Sequence, residues 1–285
     1  MDPSFWWKLA LSFAVGSGWV ALTTVAAERY GSALGGLIGG LPSTVVVSLL
    51  FIGITQTPQI ASATTTIMPL AQGINGIFIL VYLLAVRRGL LAGLGSALAV
   101  WAVVAGSAAS LGIQRLWISL FGWGACALGC YLIAGKGMAI PARGQARVRG
   151  TPLEVALRAL FGGAVIVCAV VMSKLLGPAY GGIFAAFPAA FFSTLAITHR
   201  IGGAEFSRAV GKAMMLTAMF NVPLYVVVVR YLYLWCDLAT GTALALMIAS
   251  VTGYVTYLVM RRNEPSAASD QRLAGVEEEG VRRMD

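Results

Sequence analysis

The chain of 285 residues is 59% hydrophobic and only 11% charged, with a mean hydropathy of +0.84. This composition excludes an ordinary soluble domain and is typical of an integral membrane protein. The formal net charge of +9 is spread unevenly along the chain, and this unevenness favours membrane topology over nucleic-acid binding as its explanation.

Apolar runs long enough to cross a bilayer recur along the whole chain. A crossing needs about twenty residues, and the sequence predicts nine such segments: 7–27, 32–54, 63–85, 89–109, 114–135, 153–173, 178–199, 209–231 and 239–260. The first segment lacks a basic n-region and a small-residue cleavage site, so we interpret it as a retained helix rather than a signal peptide. The predicted fold is all-α, a polytopic membrane protein with nine transmembrane helices.

Two stretches of the chain match each other in register. Residues 28–42 read Glu-Arg-Tyr-Gly-Ser-Ala-Leu-Gly-Gly-Leu-Ile-Gly-Gly-Leu-Pro, and residues 174–188 read Lys-Leu-Leu-Gly-Pro-Ala-Tyr-Gly-Gly-Ile-Phe-Ala-Ala-Phe-Pro. The same offset places Asn75 on Asn221, two of only three asparagines in the chain. This match predicts an internal duplication.

The number of segments between the two copies determines their relative direction. Four segments, one linker segment and four more segments give a 4+1+4 arrangement, and the single linker turns the second copy upside down. The predicted domains are a first transmembrane repeat (1–109), a linker helix with a basic cytoplasmic loop (110–152) and a second, inverted repeat (153–262). Residues 263–285 are predicted to form a disordered cytoplasmic tail.

Basic residues fall mostly on one side of the predicted segments. That side carries Arg29, Arg87, Arg88, Lys136, Arg143, Arg147, Arg149, Arg158, Arg200, Arg208, Lys212, Arg261 and Arg262. The other side carries Lys8, Arg115, Lys174 and Arg230. The positive-inside rule predicts a multi-pass protein of the inner (cytoplasmic) membrane, with its amino terminus outside and its carboxyl terminus in the cytoplasm. The alternative for the basic loop 136–149 is nucleic-acid binding, which we do not favour.

Two prolines in equivalent positions, Pro42 and Pro188, fall near the middle of segments two and seven. Proline removes a helical hydrogen bond, so each helix is expected to kink or break there. Glycine faces that allow close helix packing precede both prolines; they comprise Gly31, Gly35, Gly36, Gly39 and Gly40, then Gly177, Gly181 and Gly182 with Ala185 and Ala186. The backbone N–H groups that follow such breaks predict a substrate site formed with Ser43, Thr44, Ala189 and Ala190. The alternative is that the prolines only kink packed helices.

Amides lie at the same predicted depth. Asn75 and Asn221 each fall about twelve residues into a segment, and Gln72 lies one turn before Asn75. An amide at midplane must face protein or water. We include all three amides in the candidate substrate site. Hydrogen bonding between helices is the alternative role.

Residues typical of catalysis or metal binding are sparse in the predicted segments. The lone histidine, His199, falls at a segment end and is interpreted as interfacial, and Cys126 and Cys130 are interpreted as small core residues rather than ligands of a soft metal. No acidic residue occupies the centre of a segment, which favours an anionic or neutral amphiphilic solute over a metal cation. We expect no enzyme activity and no cofactor. Lys212 is expected to reach the interface, or else to attract a negative head group from the cytoplasmic side.

The half-unit, a helix followed by Gly-Gly, five residues and Pro, resembles the GlpM-like family of small four-helix membrane proteins. The matching residues run from Gly35 and Gly36 to Pro42 and from Gly181 and Gly182 to Pro188. The resemblance implies that each half is one family unit and that the chain is an internal duplication. It implies no biochemical activity.

These features predict a secondary transporter that moves a small anionic or amphiphilic solute by alternating access between inverted repeats. The competing prediction is a non-transporting scaffold or accessory subunit of a membrane complex. Expected partners are membrane lipid and the small-molecule solute, without nucleic acid, and a homodimer is possible. A carrier would have a polar cavity at Ser43, Thr44 and Asn75, whereas a scaffold would be densely packed there and expose a small-residue face elsewhere.

Overall fold

A computed structural model describes residues 3–29, 42–136, 138 and 151–263. Every regular element in these ranges is helical, which confirms the all-α class. The helices are α1 (Pro3–Arg29), α2 (Ser43–Thr55), α3 (Pro58–Thr64), α4 (Met68–Ala85), α5 (Leu90–Ser110), α6 (Leu116–Cys130), α7 (Pro152–Leu176), α8 (Pro178–Ala185), α9 (Ala189–Ala218), α10 (Asn221–Trp235) and α11 (Leu238–Asn263). A 3₁₀ turn (Thr65–Ile67) joins α3 to α4, and a π-helical turn (Tyr131–Lys136) follows α6.

Six stretches of the described chain are long and apolar enough to cross a membrane. They are Pro3–Ala27, Pro58–Arg88, Leu90–Ser110, Leu116–Ala134, Pro152–Leu176 and Pro178–Met215. Three shorter apolar helices are Ser43–Thr55, Asn221–Trp235 and Leu238–Tyr254. The structure thus fits a polytopic membrane protein but does not give the predicted count of nine long helices. One reason is that predicted segment eight is interrupted at residues 219–220.

Local sequence explains where several helices begin. The Thr151 hydroxyl accepts the backbone N–H of Glu154, and the Glu154 carboxylate accepts the N–H of Thr151, so a complete capping box starts α7. Thr57 caps α3 in a similar way, with Pro58 at the first helical position. Gly203 has φ 72°, a conformation that favours glycine, and it divides α9 into two arms.

The core is centred on the continuous stretch from α3 through α4. Its largest fully buried side chains include Ile67, Met68, Phe78 and Tyr82. Helices α5, α6, α9 and α10 pack around this stretch, and α8 contacts it as well. By contrast, α6 contributes few buried side chains and lies at the periphery. The stretch α3–α4 is therefore the central element of the described fold.

Helices α1 and α7 pack closely through glycines. A methyl group at Gly16 would collide with Ile166, and one at Gly162 would lie 2.8 Å from Val20. The two contacts are equivalent under the offset of 146 residues that separates Pro42 from Pro188: Gly16 corresponds to Gly162, and Val20 corresponds to Ile166. Gly163 abuts Ser17, which is its own equivalent under the same offset. The order of these pairs shows that α1 and α7 run antiparallel.

A second antiparallel pairing joins the halves further along the chain. Ser62 of α3 donates to the carbonyl oxygen of Arg230 in α10 at 3.0 Å, and Arg208 of α9 donates through Nε to that of Leu83 in α4 at 2.9 Å. Ser62 and Arg208 are separated by 146 residues, and the two acceptors correspond within one residue. The contacts between the halves therefore follow the offset found in the sequence.

Charged side chains gather at the two ends of the helices. At one end, called the basic end, Arg87 and Arg208 both pair with Glu205 at 2.9 Å. At the other end, called the Lys8 end, the Lys8 ammonium donates to the Ile54 carbonyl at 3.1 Å. Lys174 lies 4.3 Å above the Phe5 ring at this end. These charged contacts thus lie at two separate ends of the helices.

Three predicted features lie outside the described residues. They are the glycine face at 31–40, most of the basic loop 137–150 and the tail beyond residue 263.

The glycine contacts between α1 and α7 give a direct stability test. We expect Gly16→Leu and Gly162→Leu each to lower the free energy of unfolding by about 1–3 kcal/mol, because the added side chain must displace Ile166 or Val20. Gly18→Leu is the control, since nothing lies within 4 Å of a methyl group there. Thermal unfolding in detergent measures the effect. Equal losses in all three variants would refute the close packing of α1 on α7.

Candidate functional site

Both repeat prolines mark the start of a helix. Pro42 (φ −76°, ψ 58°) precedes α2, and Pro188 (φ −77°, ψ 44°) precedes α9. The Pro42 carbonyl accepts the N–H of Val46 at 2.9 Å, and the Pro188 carbonyl accepts that of Phe192 at 2.8 Å. The two prolines therefore have matching backbone geometry, and Pro188 lies within a complete break between α8 and α9.

The break before Pro188 is bridged by Asn75 from the central helix. The Asn75 Nδ2 group donates to the carbonyl oxygen of Ala186 at 2.8 Å and to Gln72 Oε1 at 3.2 Å. Its Oδ1 accepts from Trp101 Nε1 at 2.8 Å. One amide thus connects α4 and α5 to an interrupted backbone in the second half of the chain. We call Gln72, Asn75, Trp101, Ala186 and Phe187 the amide hub.

Aromatic rings enclose the amide hub. The Trp101 and Phe187 rings meet edge to face with centroids 4.9 Å apart, and the Phe161 ring also meets Phe187 edge to face at 5.8 Å. Such edge contacts are favourable and directional. The rings fix the indole so that its N–H points at Asn75.

A second break, at residues 219–220, has the same construction. The Met219 carbonyl accepts from Trp123 Nε1 of α6 at 2.9 Å, and the Trp123 ring meets Phe220 edge to face at 5.5 Å. Gly76, next to Asn75 on α4, abuts the Met219 side chain. Adjacent residues at the middle of α4 therefore contact the two breaks.

This second break corrects one prediction. Asn221 was expected about twelve residues into a helix, but it is the first residue of α10 and is half-buried. The equivalent part of the first half, around Gly73, is an uninterrupted stretch of α4. Trp123 of the linker helix bonds the Met219 carbonyl at the interruption in the second half. Asn221 is not one of the three groups that Asn75 contacts.

The remaining predicted site residues lie at the two helix starts. Ser43 and Thr44 are half-buried at the start of α2, Ala189 is buried, and Ala190 is exposed. Among the described residues, no hydrogen bond joins Ser43 or Thr44 to Asn75. The structure thus brings Gln72, Asn75 and the break before Pro188 together, and it leaves the start of α2 as a separate part of the candidate site.

The amide hub is closed in this conformation. Asn75 and Gln72 are each 3% exposed. One open cleft, of about 390 Å³, lies between α1 and α11 and is lined by Trp19, Leu246, Met247, Ser250 and Val251. The polar opening expected of a carrier at Asn75 is therefore not present in this state.

Other residues singled out in the sequence have clear places. Lys212 is 7% exposed, and its Nζ donates to the Met138 carbonyl at 3.0 Å, where α9 packs against the turn that follows α6. His199 is half-buried near the end of the first arm of α9. Cys126 and Cys130 of α6 are free thiols that lie against Gly73 and Gly76 of α4. No group of three metal-binding side chains occurs in the described ranges.

Trp101 and Trp123 were not predicted as site residues, although the sequence holds a signal for them. Tryptophan in membrane proteins is enriched at the two membrane–water interfaces. Both of these indoles fall near the middle of a predicted segment instead, where a buried N–H needs an acceptor. A tryptophan at mid-depth is thus an indicator of a polar partner within the protein.

A double-mutant cycle tests the amide hub. Asn75→Ala removes the partners of the Trp101 N–H and the Ala186 carbonyl, so we expect a loss of about 1–3 kcal/mol in the free energy of unfolding. Trp101→Phe keeps a ring against Phe187 and should cost less. The two changes should be non-additive by about 0.5 kcal/mol or more.

The control for this cycle is Ser107→Ala on the same α5. The Ser107 hydroxyl is exposed and bonds only to the Val103 carbonyl of its own helix. We expect this change to shift the free energy of unfolding by less than about 0.5 kcal/mol. Additive losses at Asn75 and Trp101 would contradict a shared hydrogen bond.

Comparison with known proteins gives no relative for this chain: no family model, no curated protein and no solved structure matches it.

Proposed function

We propose that this chain is a secondary transporter that carries a small anionic or amphiphilic solute across the inner membrane. It works by alternating access between two inverted repeats, 1–109 and 153–262, joined by the linker 110–152. In this proposal nine segments cross the membrane in a 4+1+4 arrangement, and the amino terminus lies outside. The three shorter apolar helices then complete crossings that the six long stretches leave open.

The contacts between the two halves support the inverted arrangement. Gly16 with Ile166 and Gly162 with Val20 are reciprocal across an antiparallel pair, as expected of a two-fold axis in the membrane plane. Ser17 and Gly163 meet near that axis. The antiparallel direction of the pair is the distinguishing feature, because equivalent helices of parallel repeats run in the same direction.

The observation that carries the transport proposal is the pair of matching helix starts after Pro42 and Pro188. Irregular backbone at membrane depth is tolerated where it is enclosed by protein or lines a cavity, and transporters place their substrate sites at such breaks. The Asn75–Ala186 bond joins the first half to the break in the second half. Opening a path to Pro188 requires this bond to separate, so we assign the present conformation to a closed state of the carrier.

The second candidate function is a non-transporting scaffold, and two observations favour it. The Asn75 amide is fully bonded inside the protein. In addition, α5 exposes a row of small residues at helical spacing: Ala92, Gly95, Ala99 and Ala102. Small residues on a lipid-facing surface allow another helix to approach closely. A homodimer or a larger complex would use this face.

Spin-label distances separate the two functions without knowledge of the solute. Labels at Leu91 and Ile201 report on the basic end, and labels at Leu111 and Trp235 report on the Lys8 end. All four side chains are exposed. The background replaces the native cysteines with alanine: Cys126, Cys130, Cys168 and Cys236.

In a carrier, each label pair should show a short and a long distance population. Conditions that favour the long distance at one end should favour the short distance at the other end. Asn75→Ala should enlarge an open population, because it removes the bond that holds the break. A single narrow distribution at both ends, unchanged in Asn75→Ala, would exclude the carrier and favour the scaffold. The doubly labelled Ser107→Ala protein is the matched control.

The hydroxyls at the start of α2 give a functional prediction. Ser43→Val and Thr44→Val should each weaken solute transport roughly two- to tenfold, since each removes one neutral hydrogen bond worth about 0.5–1.5 kcal/mol. Uptake into proteoliposomes from a panel of small anions measures the effect, with thermal unfolding as the check on folding. Loss of stability without loss of uptake would assign these hydroxyls to packing.

A further inference from the structure

Arg230 of α10 has an unusual setting at the Lys8 end. Its Nη1 group donates to three oxygens of α3 and the following 3₁₀ turn. These are the Ser62 carbonyl at 3.0 Å, Thr65 Oγ1 at 3.1 Å and Thr66 Oγ1 at 2.7 Å. The Ser62 hydroxyl donates back to the Arg230 carbonyl at 3.0 Å, and Thr65 donates to the Ser62 carbonyl at 2.6 Å. The guanidinium is thereby fixed in orientation.

One edge of this guanidinium has no hydrogen-bond acceptor among the described residues. Nε and Nη2 make no hydrogen bond to the described residues, and neither is sealed from the surroundings. These two N–H groups point in the same direction, which is the fork that binds two oxygens of a phosphate or carboxylate. We call Nε and Nη2 the open edge of Arg230.

The positive charge of Arg230 also lacks an acidic partner within the described ranges. The ion pairs of Arg87 and Arg208 both use Glu205, at the basic end. Asp237 lies at the Lys8 end, but its Oδ1 accepts the N–H groups of Ala239 and Thr240 at 3.0 Å. Arg230 is half-buried, and a partly desolvated cation gains from a counter-charge.

The two halves differ at this position. The first-half equivalent of Arg230 is Leu84, an apolar side chain that is 60% exposed. Thr66, which orients Arg230, is the equivalent of Lys212 in the second half. The site is thus a local departure from the repeat, and the packing of the duplicated unit does not explain it.

We propose that the open edge of Arg230, oriented by Thr65 and Thr66, binds a phosphate-type oxyanion. The phosphate can come from a free anion or from a lipid head group, since both present paired oxygens. The proposal of oxyanion binding depends only on this geometry. A role for Arg230 as the entry site of a transported anion rests on the proposed function, and only that role requires Arg230 to lie on the outer side of the membrane.

The test uses the full chain. Calorimetry first measures the binding of inorganic phosphate to the protein in detergent, and the protein is then studied in nanodiscs. Arg230→Lys keeps the charge but loses the fork, so phosphate affinity should fall about tenfold or more. The control is Arg115→Lys, an exposed cation assigned to the same side, which should change affinity less than about twofold. Nanodiscs with and without phosphatidylglycerol show the lipid source as an Arg230-dependent rise in Tm.

If inorganic phosphate binds in detergent, the ligand is a free anion. If only phosphatidylglycerol stabilises the protein, the ligand is a lipid head group. Either result supports the site, provided that it depends on Arg230. Absence of both effects, or equal losses in Arg115→Lys, overturns it. If Arg230→Lys does not fold, the proposal is tested on the unmodified protein by chemical modification of Arg230. Phosphate or phosphatidylglycerol should slow the reaction of Arg230 with phenylglyoxal at least about threefold and leave Arg115 unaffected, and equal or absent protection refutes the site.

These outcomes are independent of transport. Arg230-dependent binding together with a single spin-label distribution would keep the site and exclude the carrier. Two alternating distributions without any Arg230-dependent binding would keep the carrier and exclude the site.

Discussion

A helix interrupted within an apolar interior leaves backbone carbonyls without partners, and this constraint governs the described fold. Water is absent from the hydrocarbon core, so an unbonded carbonyl costs several kcal/mol there. The interruptions at residues 186–188 and 219–220 are each bonded by a side chain from elsewhere in the chain: Ala186 by Asn75 and Met219 by Trp123. These two bonds tie α4 and α6 to the second half.

The two bonds converge on one place. Asn75 faces the first break and its neighbour Gly76 faces the second, so the middle of α4 lies between them. A shift of α4 relative to α9 would disturb both sets of contacts together. Loss of the Asn75–Ala186 bond would leave polar groups unbonded in an apolar interior, which is costly.

The part of this arrangement that the sequence predicts is the part encoded by neighbouring residues. Proline at positions 42 and 188 predicts a helix start because it lacks an N–H, and both helices begin there. The break at 219–220 has no such local cause. It depends on Trp123, which lies 96 residues earlier in the chain. The Ala186 carbonyl that Asn75 bonds lies 111 residues away, so the burial of this amide was predictable but its bonds were not.

The linker accounts for much of the difference between the two halves. Its helix α6 supplies Trp123 to the break at Met219, and its Met138 carbonyl accepts the buried ammonium of Lys212. Both second-half residues have ordinary equivalents in the first half, where α4 continues through Gly73 and Thr66 stands in place of Lys212. Residues 110–138 therefore do more than connect the two halves: Trp123 of α6 bonds an interrupted backbone, and Met138, beyond α6, bonds a buried cation.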